Sequence, residues 1–186
     1  QEVDSNLRNR AKAVNFGIIY GISDYGLSRD LKISREEART YIDNYFERYK
    51  GVQEFMNRCI EEAREKGYVK TILNRRRYLP ELHDKNFQRR SFAERMARNT
   101  PIQGSAADVI KLAMLSLYRE LQKREDECAI VLQVHDELIV EVPPTSLEEV
   151  ARLVKKCMEE AIILSVPLKV DIKAGSNWYE MFPVEV

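Results

Sequence analysis

Two groups of residues have types and spacings that could do chemistry. Arg8, Lys12, Phe16 and Tyr20 recur at intervals of four. On an α-helix that interval draws one slowly drifting stripe. The two cations come first, toward the end where the helix dipole is positive and unbonded N–H groups point outward. The two rings follow on the same face. This order suits a nucleoside triphosphate, with phosphates on the cations and sugar and base against the rings. It also suits an ordinary amphipathic helix whose Phe16 and Tyr20 are core residues. Gly17 and Gly21 leave space beside the rings. A glycine inside a helix costs roughly 1 kcal/mol relative to alanine, which favours a functional reason for Gly17.

The second group is His135-Asp136-Glu137. It separates Ala129–Val134, apolar except for Gln133, from Leu138–Val142, which alternates apolar and polar. Ionisable residues between two β runs mark a hairpin tip. A carboxylate there is held rigidly while its oxygens stay open to solvent or metal. Mg²⁺ takes such hard oxygen ligands and retains waters and substrate phosphates. A pair of such ions suits phosphoryl transfer. A turn that merely happens to be charged has the same composition. His135 has no Cys or His partner at metal spacing, which argues against zinc.

Two further sets are suited to nucleic acid. Arg95, Asn99 and Gln103 are again four apart, and their donors and acceptors could touch minor-groove edges, which present a nearly sequence-independent pattern. A solvated polar helix face reads the same way. Arg75 and Arg76, in the basic run Asn74–Tyr78, could contact phosphate or serve structure.

The elements that must carry these residues follow from period and punctuation. Asp4 or Ser5 can cap a helix running to about Tyr20, with Gly21 as its stop. Ser34 and Glu37 form a capping box that opens a helix through Ala38, Tyr41, Ile42, Tyr45 and Phe46. Gly51 should interrupt, with a further helix to about Lys66. Gly67–Ile72 and Arg76–Leu79 predict a short hairpin around Asn74. A long helical stretch covers Phe87 to about Lys123, and Pro101 should kink or break it. A capped helix is expected from about Ser146 to Ile163, then a last strand over Leu168–Ile172. The expected class is α+β: a helical first portion, then helices packed on a small antiparallel sheet.

Composition sets outer limits. A chain of 186 residues with 44% hydrophobic residues can bury a core. It starts at Gln1, which suggests a fragment or processed product. It has no apolar run long enough to span a membrane and no signal peptide pattern. Three widely spaced cysteines, Cys59, Cys128 and Cys157, form neither a metal pattern nor a disulfide framework, so a reducing cytoplasm is the expected compartment. The zero net charge hides an asymmetry. Residues 64–98 carry eleven Lys/Arg against four Asp/Glu, net +7, whereas 120–160 carry five against eleven, net −6. The basic half could face a polyanion, or both could be solvated helix faces.

Longer strings make the reading specific. Arg8 to Gly21 resembles motif B of family A DNA polymerases, the bacterial DNA polymerase I type, written R-x3-K-x3-F-G-x2-Y-G. Gln133-Val134-His135-Asp136-Glu137 resembles motif C of that family. Glu94 to Asp108 resembles its E-R to Q-G-[ST]-A-A-D stretch. Asn74 to Tyr78 is similar to its G-R-R-R-Y run, with Asn74 where glycine is common. Trp178 fits a closing G-x-x-W pattern, and Trp178 and Tyr179 read as packing residues.

The resemblance implies template-directed DNA synthesis, with dNTPs added to a primer 3′-hydroxyl by two-metal chemistry using two Mg²⁺ ions. It implies that Arg8 and Lys12 contact the triphosphate, that Phe16 lies against the sugar and that Tyr20 stacks at the template position. Phe16 in place of Tyr resembles members that discriminate against dideoxynucleotides. Asp136 is then a metal ligand, Glu137 a supporting carboxylate and His135 a neighbour of the primer terminus. The implied catalytic set is Asp136, Glu137 and Lys12. The implied DNA contacts are Arg95, Asn99, Gln103, His135, Arg75 and Arg76. Residues 1–86 correspond to a fingers portion and 87–186 to the C-terminal part of a palm.

The resemblance also implies an absent component. Family members carry a further catalytic aspartate in motif A, upstream of motif B. Ahead of Arg8 stand only Glu2 and Asp4, beside a helix start. The chain by itself is therefore expected not to polymerise. Its expected partners are primer-template DNA, dNTPs and the remaining N-terminal part of a polymerase, with its motif A palm and thumb. A non-catalytic nucleic-acid-binding module is the alternative. A single-subunit RNA polymerase shares the fingers logic, but the Q-V-H-D-E string and Phe16-Gly17 argue for DNA.

Overall fold

The computed structural model describes residues 4–124 and 126–186; Glu2 lies outside them. The chain divides into two compact units, Gln1–Gly104 and Ser105–Val186. The α+β class holds, with six α-helices and three antiparallel strand pairs among the described residues.

In the first unit, α1 spans Ser5–Ile19. Asp4 caps it by accepting from the Leu7 N–H at 2.6 Å, an arrangement worth about 1 kcal/mol. It ends at Tyr20, and Gly21 follows with φ +76°. The helix α2 (Asp24–Leu31) is capped by Ser23 and was not signalled by any apolar period of its own. Ser34 caps α3 (Arg35–Arg48) by accepting from the Glu37 N–H at 3.1 Å. Ile18, Leu27 and Ala38, one from each of these helices, are buried.

The break before α4 (Lys50–Lys66) falls at Tyr49 rather than at Gly51. Tyr49 leaves the helical region (φ −120°, ψ 58°), while its N–H still bonds the Tyr45 carbonyl. Gly51 lies in the first turn of α4, where it interrupts nothing. The hairpin β1 (Tyr68–Lys70) and β2 (Arg76–Tyr78) pairs Tyr68 with Tyr78. Asn74 has φ +63° in its turn. Asparagine tolerates this left-handed conformation better than most residues, which accounts for its standing where glycine is common. Ile60, Ala63, Val69, Leu79, Leu82, Ala93 and Ala97 form the core beneath the hairpin.

α5 runs unbroken over Phe87–Leu121 with Pro101 inside it. The expected break is absent. Proline removes the bond to the carbonyl four residues back and costs about 3 kcal/mol. Here Ala93 and Ala97 before it, and Ala113 and Leu117 after it, are all buried, so packing on each side holds the helix through the defect.

In the second unit, β3 (Ala129–Val134) and β4 (Glu137–Glu141) form the hairpin expected around His135. α6 spans Leu147–Glu159, and its Val150, Val154 and Cys157 pack with Leu117 and Leu121, against Ile130, Leu138 and Val140 of the hairpin. α6 differs from expectation at both ends. Ser146 makes no side-chain cap bond; its hydroxyl instead helps Arg124 to lower the pKa of Asp126. The helix stops at Glu159, before Ile163, which is 97% exposed. Leu168–Ile172 is not a strand; the final pair is β5 (Lys173–Ala174) with β6 (Phe182–Pro183). The Glu159 carboxylate takes the Val170 N–H at 3.0 Å, so that backbone group is satisfied without a ladder. Trp178 and Tyr179 are exposed rather than packed, at 54% and 95%. Gly175 has a steric reason, since a Cβ there would fall 1.9 Å from the Glu180 carbonyl oxygen.

Candidate active site

The stripe on α1 exists as expected. Arg8, Lys12, Phe16 and Tyr20 are all exposed. Phe16 and Tyr20 are 50% and 42% exposed, which removes the reading of them as core residues of this chain. Their rings lie nearly parallel, 14° apart with centroids at 6.2 Å. They present one apolar, polarisable strip that continues from the two cations. α1 is tied to α3 by the Tyr45 hydroxyl, which donates to Asn15 Oδ1 at 2.8 Å.

The two glycines do not leave empty space. A Cβ on Gly17 would stand 3.0 Å from Ile22 Cγ2, and one on Gly21 would stand 2.6 Å from Arg98 Nη1 and 3.7 Å from Arg95 Cγ. Gly17 therefore admits Ile22, and Gly21 admits the Arg98 guanidinium. The end of α1 beside Tyr20 thus meets α5 at Arg95 and Arg98. Burial lowers the pKa of Arg98 from its ordinary value, with Glu94 opposing and Arg95 adding to that effect. Arg98 was not singled out from the sequence; its only signal was one more cation in a basic stretch.

The face of α5 is mixed. Arg95 is exposed with its guanidinium over Phe92, 5.8 Å from the ring centroid, and Gln103 is exposed. Asn99 is 8% exposed, and among the described residues its Oδ1 finds no hydrogen-bond partner. A buried amide oxygen left unpaired costs about 1–3 kcal/mol, so this face holds a polar group that the described residues do not satisfy. In the basic hairpin, Arg76 lies over the Tyr68 ring, 4.6 Å from its centroid, and Tyr78 is the largest cause of its raised pKa. Arg75 is exposed. Arg77 reaches Thr100 at 3.5 Å.

In the second unit, His135, Asp136 and Glu137 are exposed at the hairpin tip. His135 and Asp136 are the two turn residues, and Val134 pairs with Glu137. His135 adopts φ +53°. The Gln133 amide donates to the His135 carbonyl at 2.6 Å. Two adjacent exposed carboxylates supply hard oxygen donors of the kind Mg²⁺ prefers. Among the described residues no group of three or more His, Cys, Asp or Glu could close a metal site. The donor set therefore fits a partial Mg²⁺ site and does not fit a closed one. A separate ionic network lies beyond the open end of the hairpin: Arg124 bonds Asp126 and Glu149, both at 2.7 Å, and holds the carboxyl of Asp126 well below the usual range. The cysteines are free, with Cys59 and Cys157 buried. No described helix is long and apolar enough to cross a membrane.

A cation-then-aromatic helix face and a polar helix face thus lie in the first unit, and an exposed carboxylate hairpin in the second. The profile of DNA polymerase family A matches residues 1–180, and the chain belongs to that family. It is 56% identical over 179 residues to DNA polymerase I of Bacillus caldotenax, covering 96% of this chain and 20% of that protein. It is 54% identical over 179 residues to DNA polymerase I of Bacillus subtilis strain 168, with the same two coverages. Its fold matches the POL domain of Pol1 from M. smegmatis, solved in complex with DNA primer-template and dNTP. That match has a TM-score of 0.87 and 47% identity, and covers 90% of this chain and 30% of the other. The chain spans about a fifth of the length of the curated relatives it matches.

Proposed function

We propose that this chain supplies the triphosphate-contacting helix and one carboxylate hairpin of a DNA polymerase that adds dNTPs to a primer 3′-hydroxyl on a template. The observation that carries this reading is the α1 face: in a family A chain, Arg8 and Lys12 lead into two exposed, nearly parallel rings. Residues 1–86 act as a fingers portion and 87–186 as the C-terminal part of a palm. The expected compartment is the cytoplasm.

Arg8 and Lys12 bind the triphosphate by charge-assisted hydrogen bonds. Lys12, alone among the α1 residues, also serves catalysis, because its charge can neutralise negative charge that develops on the leaving pyrophosphate. Phe16 packs against the sugar, and Tyr20 stacks at the template position. Arg95, Asn99 and Gln103 hold the duplex minor groove. Asn99 brings to it the amide oxygen that the described residues leave unpaired. Arg75 and Arg76 contact phosphates, and His135 lies near the primer terminus. Asp136, supported by Glu137, would hold Mg²⁺. When bound, a pair of such ions activates the attacking hydroxyl and stabilises the leaving group.

A complete two-metal site needs a second carboxylate from motif A, which no described residue matches. The partners are thus primer-template DNA, dNTPs and the remaining polymerase segments. Primer extension by this polypeptide alone, with Mg²⁺ and dNTPs, is expected to give no product while duplex binding persists. Robust extension would refute the half-site reading. Duplex binding that resists complementation by a motif A polypeptide would favour a non-catalytic binding module instead.

A further inference from the structure

The β3–β4 hairpin is not a regular ladder. Ile130 pairs with Val140, but Leu132 pairs with Ile139, so β3 carries one extra residue at Val131. Such a bulge reverses which residues of the strand face which side. Val131 and Leu132 are accordingly both exposed, at 48% and 44%. Beyond the bulge, Gln133 stands opposite Leu138. Residues opposite each other in an antiparallel pair share a face, and Leu138 packs on the core of the second unit. The bulge therefore brings Gln133 to that side, at the last position before the turn residues' own neighbour Val134.

From there the Gln133 Nε2 donates to the His135 carbonyl oxygen at 2.6 Å. That acceptor has two properties. It belongs to a residue at φ +53°, a conformation that a residue with a Cβ adopts rarely and at a cost. In a two-residue hairpin turn the position with this sign of φ favours glycine or asparagine. The acceptor also belongs to the peptide that leads into Asp136. Because the peptide unit is planar, fixing the His135 oxygen fixes the direction in which the chain enters Asp136.

We propose that Gln133 is a positioning residue: its amide holds His135 in the left-handed conformation and so aims the Asp136 carboxylate toward a divalent cation. The inference rests on the reading of Asp136 as a metal ligand. It gives a physical role to the one polar residue of the Ala129–Val134 run. Partners that orient metal ligands from outside the coordination shell change metal affinity by about ten- to a hundredfold when removed.

The test uses the full chain, labelled with ¹⁵N, and titration with Mn²⁺ as the probe. Gln133→Met keeps the length of the side chain and removes the donor. In the unaltered chain, Mn²⁺ should broaden the Asp136 and Glu137 amide signals first. In Gln133→Met, about ten times more Mn²⁺ should be needed for the same broadening. The HN–Hα coupling of His135 should change as its φ relaxes, and amides on α6 should not move. Gln133→Glu, acceptor-only at neutral pH, should shift the same coupling, and it serves if the methionine variant does not fold. An unchanged coupling in both variants would overturn the clasp. A changed coupling with an unchanged Mn²⁺ requirement would overturn its role in aiming Asp136. No broadening at Asp136 in the unaltered chain would instead refute the metal reading itself, and the two failures are separable.

Discussion

The α1 helix and the β3–β4 hairpin carry the two halves of the proposed chemistry, and they are built on opposite principles. α1 is regular. Its exposed stripe follows from one spacing, with Asp4 capping one end and Gly21 following the other. The hairpin gains its tip through irregularity: an extra residue at Val131, a non-glycine residue at φ +53° and a side-chain clasp from Gln133. A ligand that must be met along its length, such as a nucleoside triphosphate, needs a row. A cation that must be met at one point needs a carboxylate held in one direction. In the proposed reading, the regular element serves the first requirement and the strained one the second.

The largest effect expected from breaking this comparison is at the tip. In a polymerase completed with the motif A segment, Asp136→Asn should lower turnover on the order of a thousandfold or more. Duplex binding should remain largely intact in a filter or anisotropy assay. Binding lost in parallel with turnover would show Asp136 to be structural. On the row, Lys12→Ala removes one charge-assisted contact of about 1.5–3 kcal/mol. It should lower kcat/KM for dNTP by roughly ten- to a hundredfold while primer-template affinity stays close to that of the parent. The reverse order would refute the triphosphate role of Lys12.

The legibility of the two regions differs for the same reason. The stripe, the Asp4 and Ser34 caps and the position of the hairpin were readable because each depends on local spacing or on one capping residue. The bulge was not readable, because an apolar run such as Ala129–Leu132 reads the same with or without an extra residue. The occupants of the Gly17 and Gly21 spaces, Ile22 and Arg98, come from the next loop and from a distant helix. The continuity of α5 through Pro101 depends on packing before and after it that no local rule contains. In the Leu168–Ile172 segment, the Val170 N–H goes to Glu159 on α6, a contact that local alternation does not reveal. The burial of Asn99 likewise needed the fold.

Smaller effects sharpen the contrast. Gly21→Ala places a Cβ at φ +76° against Arg98. It should destabilise the chain by about 1–2 kcal/mol, read as a lower denaturant midpoint, with the Arg98 side chain able to move aside. Gly51 has nothing within 4 Å of its Cβ position and lies within α4; Gly51→Ala should be neutral or stabilising by about 0.5–1 kcal/mol. The smallest effect concerns pH. The Arg124 guanidinium depresses the Asp126 carboxyl, so the pair contributes stability above the unfolded carboxylate pKa of about 3.9. That contribution is lost as pH falls through the lower folded value. Asp126→Asn should lower the melting temperature near neutrality and leave a smaller further loss below about pH 4 than the parent shows. Equal acid sensitivity in the two proteins would assign the loss to other groups.

In the proposed reading, this chain carries one half of a polymerase active site. The direct measurement is template-directed primer extension by this chain mixed with a polypeptide bearing the motif A palm strand and thumb, in Mg²⁺ and dNTPs. Extension is expected to follow the template, to require both polypeptides and to disappear with Asp136→Asn. Extension by the chain alone, or extension by the mixture that survives Asp136→Asn, would contradict it.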